Sequence, residues 1–95
     1  MSLIGLYVEV YDCKIKSLKG IYGEIIDESK NTFYIKNKDE IYIVPKSISK
    51  FIFYFNDYSI FLDGKLIDKR PWESIKANIK KKVYVVYITK FLNIL

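Results

Sequence analysis

The chain has 95 residues, about half of them hydrophobic, and a net charge of +5. That is one small domain with enough apolar residues for a core and too few residues for two domains. The single cysteine, Cys13, excludes an internal disulfide, and the absence of histidine removes the commonest general base and argues against a zinc centre. Sixteen basic residues, of which only Arg70 is arginine, face eleven acidic ones. Such a balance suits nucleic acid, whose phosphates reward lysine by counterion release. A lysine-rich, arginine-poor composition is also what an AT-rich genome or a thermophilic habit writes into any protein.

In chain order, residues 6–12 alternate, with Leu6, Val8 and Val10 on one face and Tyr7, Glu9 and Tyr11 on the other. Lys14, Lys16 and Lys19 follow in a loop. Residues 20–27 form a second strand, with Ile21 and Ile25 in phase and Gly23 between them. A glycine there marks a bulge, a bend or a close backbone approach. Residues 28–31 turn through Ser29 and Asn31, and strands at 32–36 and 40–44 are joined by Asn37-Lys38-Asp39. Pro45 ends a strand or sits at an edge. Phe51, Phe53 and Phe55 alternate in the next strand, and residues 58–62 lead to Asp63-Gly64, a favoured hairpin turn.

Arg70-Pro71-Trp72-Glu73 changes the pattern. Pro71 suits a first helical position, and Trp72, Ile75 and Ile79 recur at helical spacing, so a helix is predicted over about 71–81. Lys80, Lys81 and Lys82 close it favourably for the helix dipole. An apolar tail, 83–95, adds a last strand or part of a protein interface. The whole reads as mainly β: a small bent antiparallel barrel of about six strands, Sm-like or SH3-like, with a C-terminal helix. Residues 1–95 form a single domain. The longest apolar runs, Phe51–Phe55 and Val83–Ile88, fall far short of the ~20 residues of a membrane helix. Nothing at the start has the basic-then-apolar form of a secretory leader.

No residue set reads as catalytic. Asp27-Glu28 and Asp39-Glu40 are adjacent carboxylates, which a β conformation points to opposite faces. Cys13 reads as a semi-buried thiol, since only lysines lie nearby to activate it. The basic loops are more informative. Lys14, Lys16 and Lys19 lie in one loop, Lys30 and Asn31 in a turn, Lys46 and Lys50 around the proline, and Lys69 and Arg70 before the predicted helix. Loops at one end of a barrel can converge into one phosphate-binding surface. Alternatively they are solvated charges that never meet. Tyrosines offer stacking platforms for bases, or simply cover the barrel. Trp72 reads as a core anchor.

Six short words fall in a recognisable order: Leu3-Ile4-Gly5-Leu6, Gly20-Ile21-Tyr22-Gly23, Asp27-Glu28-Ser29-Lys30-Asn31-Thr32, Val44-Pro45-Lys46, Asp63-Gly64 and Arg70-Pro71. Together they resemble the archaeal ribonuclease P protein component 1 family, whose eukaryotic counterpart is also a ribonuclease P subunit. The resemblance runs from Leu3 to about Lys76. It implies an Sm-like barrel that binds the specificity part of ribonuclease P RNA, in a cytoplasmic particle whose RNA removes the 5′ leader of precursor tRNA. It further implies a heterodimer with a zinc-ribbon subunit, no cofactor, and no catalytic residue on this chain. Lys30, Asn31, Lys46 and Arg70 match motif positions expected to contact RNA or order the loops that do; Lys14, Lys16 and Lys19 rest on charge alone. Trp72-Glu73-Ser74 departs from the family's usual charged run, Glu-Asp-Arg, and only Met1 and Ser2 precede the opening word. Two other readings stay open. Gly20-x-x-Gly23 followed by Glu24-Ile25-Ile26-Asp27 is similar to a KOW-like motif of ribosome- or transcription-associated barrels. Aromatic grooves and the apolar tail would also suit a protein-interaction barrel.

Overall fold

In the computed structural model, residues 3–56 and 59–67 are described. Six strands form one antiparallel sheet: β1 Tyr7–Cys13, β2 Tyr22–Glu28, β3 Thr32–Asn37, β4 Glu40–Pro45, β5 Ser49–Tyr54 and β6 Ser59–Asp63. A 3-10 turn, Lys16–Leu18, lies between β1 and β2, and a short helix, α1, spans Gly64–Ile67. The sheet order is β4-β3-β2-β1-β5-β6. The first four strands form a meander, and β5 returns to pair with the free side of β1. Among the described residues no ladder joins β4 to β6, so the barrel is open along that seam.

The curl is set by two bulges. β1 gains one residue on β5 between Val10 and Asp12, and β2 gains one on β3 between Ile25 and Asp27. A bulge bends its strand and increases the local twist. It also reverses the alternation of faces. Val8 and Val10 point to the core before the first bulge, and Cys13, not Asp12, points there after it. In β2, Gly23 and Ile25 are buried, and beyond the bulge it is Glu28 that pairs with the core residue Phe33. Asp12 and Glu28 are thereby re-aimed, Asp12 away from the core and Glu28 toward it.

The core is built from Val8, Val10, Ile25, Phe33, Ile35, Val44, Phe51, Phe53 and Leu62, all without exposure. Phe33 of β3 meets Phe51 and Phe53 of β5 edge-on, with ring centroids 5.2 and 6.0 Å apart. Two strands, β2 and β1, separate β3 from β5 in the ladder. That contact requires the sheet to fold back on itself. Burying each of these phenylalanines contributes roughly 1.5–3 kcal/mol.

Most predicted strands are found with ends moved by one or two residues. Pro45 is the last residue of β4, an outer strand of the ladder. The β3–β4 connection is tighter than predicted: Asn37 pairs with Glu40, leaving a two-residue turn in which Lys38 takes φ 56°. Asp63-Gly64 is not a hairpin turn. Asp63 ends β6 and Gly64 opens α1. Gly64 does not have positive φ. Its lack of a side chain matters for another reason: a Cβ there would collide with the Lys46 carbonyl and stand 2.6 Å from that of Ser49. Gly23 likewise faces the Lys36 carbonyl, which a Cβ would overlap. The predicted helix at 71–81, the tail 83–95, and Lys69, Arg70 and Trp72 lie outside the described residues.

Candidate nucleic-acid interface

Three connections are fastened to one another by backbone hydrogen bonds. The Lys14 amide donates to the Ile48 carbonyl (3.1 Å), tying the β1–β2 loop to the β4–β5 turn. The Lys46 amide donates to the Asn31 carbonyl (2.8 Å), tying that turn to the β2–β3 turn. Within the β1–β2 loop the 3-10 turn is closed by Leu18 N to Ile15 O and Lys19 N to Lys16 O. Ser49, buried at the start of β5, donates its hydroxyl to the Pro45 carbonyl at 2.7 Å and lies 3.2 Å from Cys13 Sγ. Cys13 Sγ also accepts from the Ile15 amide. The thiol is therefore a buried part of the loop scaffold.

Between the β1–β2 loop and the start of β5 runs an open groove of about 630 Å³. Lys14, Lys16, Lys19, Lys50 and Lys65 line it, with Asp12 and Asp63 as its acidic members. Lys50 lies opposite Asp12 on β1 and opposite Asp63 on β6. Asp63 is partly occupied in accepting from the Lys65 amide at 2.9 Å. Asp12 stands 3.8 Å from Lys19, with both side chains about half exposed or more. An exposed pair of that kind contributes at most about 1 kcal/mol. Lys14, Lys16 and Lys65 form no ion pair with another described residue. Five ammonium groups facing one concavity against two carboxylates make a local positive field, which a polyanion relieves.

The structure thus brings Lys14, Lys16 and Lys19 together. Lys50 and Lys65 complete the set. Lys65 was hidden from sequence reasoning because Asp63-Gly64 reads as a hairpin, which would have sent Lys65 into a further strand. Lys30 and Asn31 are exposed on the adjoining β2–β3 turn, outside the groove lining. Their turn is shaped by Ser29, whose hydroxyl bonds to the Thr32 hydroxyl and accepts from the Thr32 amide, while the Ser29 amide donates to the Thr32 carbonyl.

Lys46 has a different setting. It is 3% exposed. Its ammonium donates to Glu28 Oε2 (2.9 Å), the Ser29 carbonyl (2.9 Å) and the Lys30 carbonyl (3.4 Å). It also lies 4.7 Å from the centroid of Phe33. The bulge in β2 makes this possible by turning Glu28 inward. All three ammonium protons are used within the chain, so Lys46 orders the turn that carries Lys30 and Asn31 and presents no charge to solvent.

A second concavity, of about 330 Å³, lies at the far end of β1, beside Tyr7, Tyr22, Lys36 and Lys38. The Tyr54 hydroxyl there donates to Glu9 Oε1 at 3.0 Å. Burial, then that bond and the Glu9 charge, push the Tyr54 phenol up to about 12. Among the described residues no group of three metal-ligating side chains occurs, and no helix is long and apolar enough to cross a membrane.

A family model for ribonuclease P/MRP, subunit p29, matches residues 1–77. The chain belongs to the p29 family of ribonuclease P/MRP subunits. Among its relatives, ribonuclease P protein component 1 of Methanocaldococcus jannaschii is 40% identical over 81 residues, covering 83% of this chain and 84% of the relative. The protein of the same name from Methanosphaera stadtmanae is 38% identical, covering 84% and 87%. The solved structure of Mth11, a homologue of the human RNase P protein Rpp29, is 33% identical with a TM-score of 0.59, covering 77% of this chain and 96% of that one. The bent six-stranded sheet is thus the fold of an Rpp29 homologue.

Proposed function

We propose that this chain is the RNA-binding p29 subunit of an archaeal ribonuclease P, acting in a particle whose RNA removes the 5′ leader from precursor tRNA. Membership of the p29 family supports the assignment to ribonuclease P. The observation that carries the RNA-binding role is the groove, where Lys14, Lys16, Lys19, Lys50 and Lys65 face one concavity. Lysines there act as mobile point charges on phosphates, a mode that suits a folded RNA backbone more than a base sequence. Lys30 and Asn31, on a turn ordered by Lys46, extend the same surface; Lys69 and Arg70 are assigned to RNA binding by their charge and motif position alone.

Within this reading the subunit supplies no catalytic group. Its role is to hold the specificity part of the ribonuclease P RNA, and precursor tRNA meets it only inside the assembled particle. A zinc-ribbon subunit is its protein partner, bound as a heterodimer, and the particle works in the cytoplasm without a cofactor on this chain. The test is binding of ribonuclease P RNA at moderate salt, alone and with the zinc-ribbon subunit, followed by leader cleavage in a reconstituted particle. A shifted RNA and a lowered magnesium requirement are expected. No shift under either condition overturns the proposal.

A further inference from the structure

Toward the start of β1, outside the basic groove, three strands present tyrosines on the face opposite the core. Tyr7 of β1 lies across from Tyr54 of β5, and Tyr22 sits on β2. The Tyr7 and Tyr22 rings are stacked, with centroids 5.7 Å apart and planes 29° apart. Tyr54 meets Tyr22 edge-on, also at 5.7 Å. Tyr7 is 47% and Tyr22 44% exposed. A contiguous exposed aromatic cluster marks an interaction site.

The surroundings indicate the partner. Lys36 and Lys38 line the same concavity, and neither forms an ion pair with another described residue. Lys38 stands at the tip of a two-residue turn, fixed by its left-handed backbone. The Asn37 amide group donates to the Tyr22 carbonyl, so that turn is clamped against the tyrosine strand. Glu24 is the one carboxylate of the lining and lies across from Lys36. Glu9 is engaged by the Tyr54 hydroxyl. The arrangement is a flat aromatic surface flanked by two cations on one side. An apolar protein segment would leave both ammonium groups without a partner. A nucleotide uses the rings for its base and the cations for its phosphates.

We propose that Tyr7 and Tyr22 form a stacking platform for an unpaired nucleotide, with Lys36 and Lys38 on its flanking phosphates. This rests on the RNA-binding reading but not on the groove, which shares no residue with the platform. Tyr7 stands at the start of β1, and the groove residues Asp12 and Cys13 at its end.

The test uses the full chain and a ten-nucleotide single-stranded adenosine RNA carrying 2-aminopurine. Stacking predicts quenched fluorescence on binding to the wild-type chain. The Tyr7→Leu/Tyr22→Leu double variant should bind about tenfold or more weakly, without quenching. The Tyr7→Phe/Tyr22→Phe variant should keep both, because a phenyl ring stacks. A Lys14→Ala/Lys16→Ala/Lys65→Ala variant should still quench. Should the leucine double variant not fold, the wild-type quench and each single leucine variant decide the matter. Equal binding by the leucine and wild-type chains, or binding without quenching, overturns the platform while leaving RNA binding intact. Binding of neither this RNA nor ribonuclease P RNA by any chain overturns both.

Discussion

Two lysine settings on linked connections show how burial divides identical charges between structure and recognition. Beneath the β2–β3 turn, Lys46 is enclosed by Glu28, two carbonyl groups and the Phe33 ring. In the groove, Lys14, Lys16 and Lys65 reach solvent with no described ionic partner. Removing the first leaves polar groups stranded in a low-dielectric pocket. Removing the others returns a little water to an already wet surface. The same residue type therefore carries stability in one place and affinity in the other.

That contrast is open to direct attack. Lys46→Met should lower unfolding stability by about 2–3 kcal/mol in urea titration. This is below the roughly 3–5 kcal/mol typical of a broken, fully buried pair, because Glu28 keeps 21% exposure and regains water. A loss under about 0.5 kcal/mol, the range of an ordinary surface change, would break the contrast. Gly64→Ala bears on the same turn, since the new Cβ would drive into the Lys46 carbonyl. It should cost about 1–3 kcal/mol, as overpacking does, and thermal melting would read it. Lys30→Ala should leave the melting temperature unchanged and weaken ribonuclease P RNA binding a few-fold, as loss of about one phosphate contact implies. The smallest effect concerns Tyr54. Its phenol is raised from 10.0 to about 12, so its contribution to stability is complete below pH 10 and lost as pH rises through about 12. Phenolate absorbance should place it late in the titration, and Glu9→Gln should bring it earlier.

Much of the fold was legible in the sequence because strand alternation and turn residues report local geometry. Val8, Val10, Ile25, Phe51 and Phe53 fall on the apolar phase of their strands in the sequence and are buried. What could not be read were the bulges. One extra residue at Tyr11 and one at Ile26 reverse the phase, and no local signal distinguishes a bulged tyrosine or isoleucine from a regular one. The inward turn of Glu28, and with it the burial of Lys46, followed from a bulge that alternation alone does not reveal. Gly64 misled for a related reason. Asp-Gly signals a tight turn by backbone freedom, yet here the glycine answers a steric demand from residues 46 and 49, distant in sequence. The lysines of the β1–β2 loop were visible as a charge cluster. Their meeting with Lys50 and Lys65 depends on β5 crossing back to β1, a long-range pairing that composition and periodicity do not encode.

The central claim is that the groove binds RNA through its phosphates. The most direct measurement is the salt dependence of ribonuclease P RNA binding by the wild-type chain and by Lys14→Ala/Lys16→Ala/Lys65→Ala. The variant should bind more weakly at low salt, with a log–log slope shallower by about two to three, as loss of three phosphate contacts requires. Equal affinity and parallel slopes for the two chains would contradict that claim.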